Sequence, residues 1–192
     1  MNFIVTSFYT VNTGYEKEVV HLIESLIRFK VEYDISGIQS LGSWDLNTKY
    51  KATHLKNMLE KYPGVAVVWL DADAVLHSYP LLFETIKEDL AVHYLQYQSR
   101  PPELLTGTMV LQNNDRVRQL LNVWIKGCEL DARWEQKILQ EIVNKKVIPT
   151  LTLSKLPPQY CKIFDHPNEV LNPVIEHFQY SRKVRKNGGK LT

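Results

Sequence analysis

One stretch constrains this chain more than any other: Val65-Ala66-Val67-Val68-Trp69-Leu70, an unbroken apolar run followed at once by Asp71-Ala72-Asp73. Such a run fits a strand buried on both faces, as in a parallel sheet covered by helices. Tyr62-Pro63-Gly64 stops whatever precedes it. Upstream, Phe3 to Ser7 is rich in β-formers, Asn12-Thr13-Gly14 is turn-like, and Val19, Leu22, Ile23, Leu26 and Ile27 recur at helical spacing. A second strand is expected from Val31 to Ile35, a loop from Gly37 to Asn47 and a second helix from about Tyr50 to Lys61. Strands that alternate with helices define an α/β layer fold.

Downstream, Leu90 to Tyr97 and Leu104 to Leu111 read as strands separated by Pro101-Pro102. Val117, Leu120, Leu121, Trp124 and Ile125 predict an amphipathic helix capped by Asn113 or Asn114, and another helix is expected from about Ala132 to Asn144. Beyond Val147 the prolines predict short strands and loops closing over one end of the sheet. The 192 residues suit a single domain, 1–192, with a basic C-terminal tail from about residue 182 that holds Arg182, Lys183, Arg185, Lys186 and Lys190. With 44% hydrophobic and 23% charged residues, disorder, collagen and coiled coil are excluded, and the net charge of +2 is too small to imply a nucleic-acid partner. Cys128 and Cys161 lack the spacing of a zinc site and read as reduced, buried thiols. The N-terminus is a first strand rather than a signal peptide, and no apolar run approaches the roughly 20 residues of a membrane span, so a cytoplasmic location is expected.

Ligands in open α/β sheets gather at the carboxyl ends of the strands, and that is where Asp71 and Asp73 leave the buried run. In a strand-like segment residues two apart point the same way, so both carboxylates converge, with small Ala72 between them. Carboxylates that close repel unless a cation lies between them, and hard divalent cations often complete their shell with substrate phosphates. An ordinary turn or helix cap is the competing reading of the tripeptide.

In its context Trp69-Leu70-Asp71-Ala72-Asp73-Ala74 resembles the D-x-D motif of GT-A glycosyltransferases, in particular the retaining, metal-dependent transferases related to families 8 and 77. Leu105-Thr106-Gly107-Thr108-Met109-Val110-Leu111-Gln112-Asn113 resembles the family's (N/S)-G-x strand, followed by a helix ending in a tryptophan, here Trp124. Ile175-Glu176-His177-Phe178-Gln179-Tyr180-Ser181-Arg182-Lys183 resembles its H-F-x-G-x-x-K segment, although Ser181 departs from the glycine-containing spacing. The resemblance implies a GT-A (Rossmann-like), mostly parallel sheet flanked by helices. It also implies Mn2+ or Mg2+ on Asp71, Asp73 and His177, with Ala72 beside the donor and Lys183, less directly Arg182, at the donor diphosphate. A mixed oxygen and imidazole shell suits manganese better than calcium.

The same resemblance places Thr6, Ser7, Phe8 and Tyr9 in the donor pocket, with Tyr9 able to stack on the base, and Trp44, Asn47 and Lys51 near the donor, Lys51 reaching a phosphate. Gly107 permits close approach beneath the sugar, or marks a β-bulge. Glu135-Gln136 occupies the place of a D-Q pair beside the anomeric carbon, with Glu in place of Asp. The expectation is a glycosyltransferase moving a hexosyl or pentosyl group from a nucleotide-diphospho-sugar to an acceptor hydroxyl with retention, the acceptor being a glycan or a hydroxymethylated DNA base. Two other classes use the same parts: a nucleotidyltransferase or sugar pyrophosphorylase, and a non-catalytic glycan- or nucleic-acid-binding domain.

Overall fold

The structure of the chain, a computed structural model, describes residues 2–166 and 169–182. Strand β1 (Phe3–Thr10) leads into helix α1 (Tyr15–Arg28), then β2 (Tyr33–Ile38), α2 (Trp44–Lys61), β3 (Ala66–Leu70) and the short β4 (Ala74–Leu76). After a 3-10 turn come β5 (Leu90–Leu95), β6 (Glu103–Leu111), α3 (Asp115–Leu130), α4 (Glu135–Asn144), β7 (Leu153–Lys155), β8 (Lys162–Ile163) and β9 (Ile175–His177). Among the described residues six strands form one sheet in the order β2-β1-β3-β6-β5-β7. All run in one direction except β6, which is antiparallel to both β3 and β5. A second sheet of three strands, β4-β9-β8, sits beside it.

The buried run behaves as its composition dictates. All of β3 is inaccessible, and its side chains alternate between two cores. Val67 and Trp69 join Ile4 and Phe8 against α2, α3 and α4, through residues such as Leu55, Leu121, Trp124 and Leu139. Ala66, Val68 and Leu70 join Phe3 and Val5 against Leu22 and Leu26 of α1 and against Leu76 and Ile175 of the small sheet. Two-sided burial is what an uninterrupted apolar strand requires. Cys128 and Cys161 are free and buried. Among the described residues no helix is long and apolar enough to cross a membrane.

Several boundaries differ from expectation for local reasons. The second strand is Tyr33–Ile38 rather than Val31–Ile35, because Val31 closes α1 by donating its N–H to Leu26 O, after Lys30 has turned the chain at φ 54°. Helix α2 begins at Trp44, not Tyr50: Ser43 caps it by accepting from Leu46 N at 3.2 Å. The polar residues between Gly42 and Asn47 are therefore a helix start, as Ser at an N-cap predicts, and not a loop. Helix α3 is capped by Asn114, which accepts from Val117 N, and it continues past Trp124 to Leu130. Helix α4 starts at Glu135 instead of Ala132 because Trp134 is still extended.

The far side of the sheet depends on one buried carboxylate. Asp89, fully buried ahead of β5, accepts from Arg116 Nε at 2.7 Å, Arg116 Nη2 at 2.9 Å, Asn114 Nδ2 at 2.7 Å, Thr152 N at 2.8 Å and Thr152 Oγ1 at 2.9 Å. Burial alone raises its pKa, but Arg116, Thr152 and Asn114 outweigh burial and hold the carboxyl well below the usual carboxylate range. A depressed folded-state pKa contributes stability above the unfolded value of about 3.9 and loses it as pH falls further. Asp89→Ala is expected to lower unfolding stability at neutral pH by about 3 kcal/mol, the low end for breaking a buried pair, because half-exposed Arg116 can turn to water. Denaturant titrations of both proteins from pH 7 to pH 3 should show the difference shrinking only below about pH 4.

Candidate active site

At the carboxyl end of β3 the chain turns sharply rather than continuing as a strand. Ala74 N donates to Asp71 O at 2.9 Å, closing a turn over Asp71, Ala72 and Asp73, while Asp71 N donates to Gly107 O of β6 at 2.9 Å. The two carboxylates therefore converge because the backbone folds back, not through strand alternation. The turn feeds β4, whose antiparallel register with β9 sets Ala74 opposite His177. That pairing brings a residue more than a hundred positions away beside Asp73. Asp71, Asp73 and His177 each offer one ligand atom within 4.8 Å of the others.

Each of the three is held by specific partners. Asp71 Oδ1 accepts from Lys51 Nζ at 3.0 Å and from Trp69 Nε1 at 2.8 Å. Asp73 Oδ2 accepts from Tyr180 N at 2.8 Å, after Gln179 turns the chain at φ 54°. His177 shares a hydrogen bond of 2.8 Å between Nε2 and Thr108 Oγ1. What remains is informative: Asp73 Oδ1 and His177 Nδ1 are buried, 3.9 Å apart and without a hydrogen-bond partner. Buried polar atoms are nearly always paired, so two orphans facing each other mark a place for a missing group. The donor set, two carboxylates and an imidazole, fits a divalent cation.

Burial disfavours the imidazolium of His177, but Asp73, Cys161 and Asp71 outweigh it and push its pKa up to about 10. Burial likewise acts against ionised Asp71, yet Lys51, His177 and Trp69 hold its carboxyl below the ordinary value.

Gly107 lies directly under the cluster. A Cβ there would stand 3.1 Å from His177 Cε1, 3.3 Å from His177 Nδ1 and 3.4 Å from Asp71 Oδ2. The local backbone explains the position. Between Val92 and His93 of β5 the partner on β6 jumps from Met109 to Leu105, so Thr106, Gly107 and Thr108 are released from that ladder. Irregularities of this kind re-aim side chains beside active sites. Here Thr106 contacts Lys51, Glu135 and Gln136, while Thr108 contacts His177. The register shift is the irregularity that the bulge reading of Gly107 expects, and it falls on these three residues.

The cluster lines a cleft of about 510 Å3 whose walls include Phe8, Tyr9, Tyr15, Trp44, Trp69, Tyr97 and Trp134. Of the expected site residues Tyr9, Lys51, Asp71, Ala72, Asp73, Gly107, Glu135, Gln136, His177 and Arg182 line it, as do Trp44 and Asn47. Thr6 and Ser7 do not: both are fully buried, and Thr6 Oγ1 is used on Asp34 O at 2.9 Å and His54 Nε2 at 2.7 Å. Arg182 is ion-paired with Asp165, and Lys183 lies outside the described residues. Glu135 accepts from Lys51 and Thr106, and Gln136 bridges Thr106 N at 3.2 Å and Glu103 Oε1 at 2.9 Å. Sequence reasoning passed over Tyr15, Tyr97 and Trp134; their signal was an aromatic side chain at or near the end of an element.

The sequence matches no family model, and no curated protein matches it. Solved structures do. A glycosyltransferase involved in the glycosylation of the major capsid of PBCV-1 superposes with a TM-score of 0.72 at 14% identity, covering 100% of both chains. The glycosyltransferase GlyE of Streptococcus pneumoniae TIGR4 gives 0.61 at 16% identity, covering 93% of this chain and 55% of that one. Its apo-form gives 0.63 at 15%, covering 93% and 54%, so this chain spans about half the length of GlyE. The fold is thus a glycosyltransferase fold, with an Asp71-Asp73-His177 cluster able to bind a metal at the cleft.

Filling the space under the cluster should disturb it without unfolding the sheet. Gly107→Ala is expected to weaken Mn2+ binding at least tenfold, in the range seen when the surroundings of metal ligands are altered, with the thermal midpoint close to that of the original protein. Titration with Mn2+ followed by the paramagnetic signal of the free ion measures the first, and circular dichroism the second.

Proposed function

We propose that this chain is a metal-dependent glycosyltransferase that moves a sugar from a nucleotide-diphospho-sugar to an acceptor hydroxyl, with residues 1–192 acting as one donor-binding domain. The observation that carries the reading is the pair of orphaned atoms, Asp73 Oδ1 and His177 Nδ1, beside Asp71 on the wall of a cleft in a glycosyltransferase fold. Asp71, Asp73 and His177 would hold Mn2+ or Mg2+, which offsets the negative charge that grows on a departing diphosphate.

The chain's own residues do the rest. Thr108 fixes which nitrogen of His177 faces the carboxylates, and Tyr180 N fixes the rotation of Asp73. Phe8, Tyr9 and Tyr15 supply aromatic wall for a planar base, with Tyr9 as the stacking residue. Arg182 and Lys183 are the proposed contacts to the diphosphate. Glu135 and Gln136, on the cleft wall, are the proposed sugar-facing pair. Departure of the nucleoside diphosphate and attack of the acceptor on the same face, with the diphosphate accepting the proton, gives retention. The proposed acceptor is a glycan, with a hydroxymethylated DNA base as the other candidate.

Incubation with Mn2+ and a panel of nucleotide-sugars is expected to release nucleoside diphosphate, and chelation to abolish the release. Release of a sugar 1-phosphate in place of nucleoside diphosphate, with the nucleotidyl group passing to the acceptor or to added pyrophosphate, would overturn the assignment in favour of nucleotidyl transfer. Asp73→Asn should remove Mn2+-dependent donor binding; unchanged donor affinity would place the metal elsewhere. For the acceptor, binding to duplex DNA that weakens steeply with salt favours the modified base, since phosphate neutralisation gives such a slope, and its absence favours a glycan.

A further inference from the structure

Lys51 is a cation bonded directly to the proposed metal cluster, through Asp71, and its charge is used inside the protein. It is 4% exposed, on α2, with Nζ 5.1 Å from the Trp69 ring centroid. Its ammonium donates to Asp71 Oδ1 at 3.0 Å, to Glu135 Oε1 at 3.1 Å and to Thr106 at 3.3 Å, through the carbonyl or the hydroxyl. An ammonium has three protons, and these three residues take all of them. A phosphate contact would require Lys51 to leave Asp71 and Glu135, stripping a 5%-exposed Glu135 carboxylate of its only counter-ion among the described residues. Removing one member of a buried pair is among the costlier changes a protein can undergo.

The consequence falls on Asp71. Lys51 and Trp69 both bond Oδ1, so the carboxylate cannot rotate freely and Oδ2 is the atom left beside Gly107 and His177 Nδ1. The charges also close. Asp71, Asp73 and Glu135 carry three negative charges, Lys51 offsets one, and one divalent cation offsets the other two. We propose that Lys51 is a positioning residue for the metal site: it orients Asp71 to present Oδ2 and compensates Glu135, and it is not a ligand of the donor phosphates. This rests on the metal site of the proposed function but not on the transfer reaction.

The test uses Mn2+ alone and a panel of nucleoside diphosphates alone. Lys51→Met combined with Glu135→Gln removes one charge of each sign, so net charge is unchanged and no buried carboxylate is stranded. This double variant is expected to bind Mn2+ about 10- to 100-fold more weakly, with metal-free nucleoside diphosphate affinity unchanged. In an Asp71→Ala background the same pair of substitutions should cause no further loss, because the effect passes through Asp71. Lys51→Arg, which keeps the ion pairs should the double variant fold poorly, is expected to retain most of the Mn2+ affinity. Mn2+ affinity like that of the original protein in the double variant, an equal loss in the Asp71→Ala background, or a selective loss of nucleoside diphosphate binding would each overturn the proposal. If the original protein itself bound no Mn2+, the metal reading would fail, a result distinct from these.

Discussion

Carboxylates crowded at the end of a buried strand repel one another, and much of the architecture around the cleft offsets that repulsion. Asp71 is tied to Lys51 and Trp69, Asp73 to the backbone of Tyr180, and Glu135 to Lys51 and Thr106. Lys51 is itself more basic than an ordinary lysine: burial acts to lower its pKa, but Asp71 and Glu135 raise it further than burial depresses it. His177 completes the arrangement, its Nδ1 3.9 Å from Asp73 Oδ1. The cleft is therefore not an acidic hollow waiting for any cation, but a set of charges with one specific deficit between Asp73 and His177.

Backbone geometry places those charges, and three features cooperate. The turn after β3 folds Asp71 and Asp73 toward one point, closed by Ala74 N on Asp71 O. The β4–β9 register then delivers His177. The break between β5 and β6 releases Thr106, Gly107 and Thr108 to the cluster, while β6 remains anchored to β3 through Leu70 opposite Thr108. Since β6 is the one reversed strand of the large sheet, its middle crosses the carboxyl end of β3 where a parallel neighbour would need a separate connection.

What the sequence revealed, and what it hid, follows from which interactions are local. The two-sided burial of β3 was legible because six apolar residues in a row leave few alternatives. The start of α2 was hidden because Ser43, Asp45 and Asn47 serve caps and loops equally well, and only the bond from Leu46 N decides between them. Asp71, Asp73 and His177 were named together through resemblance, since no spacing rule joins a turn to a strand a hundred residues later. The burial of Lys51 was the least legible. A lysine on a helix reads as solvated or as a phosphate contact, and the carboxylate it meets in the interior, Glu135, comes from another helix. Thr6 and Ser7 could not be told from Phe8 and Tyr9 by sequence, because the strand is continuous and only its place in the fold shows that Phe8, Tyr9 and Thr10 line the cleft while Thr6 and Ser7 do not.

A glycosyltransferase fold alone does not establish glycosyl transfer, since folds host unrelated chemistries. The choice between transfer of a sugar and transfer of a nucleotidyl group turns on how phosphates are held near β1. Nucleotidyl transfer normally calls for a glycine-rich loop whose successive N–H groups wrap a phosphate. Here the loop after β1 has one glycine, Gly14, and Asn12 supplies the left-handed turn at φ 58°. Glu16 already takes the N–H of Asn12, at 3.0 Å, and Thr13 takes that of Tyr15, at 3.2 Å. Gly14 serves a different purpose, because a Cβ there would collide with the Tyr180 hydroxyl at 1.8 Å. Its smallness lets the segment carrying Tyr180 pack against Tyr15 while Tyr180 N reaches Asp73, so the glycine of the first loop supports the Asp71-Asp73-His177 cluster.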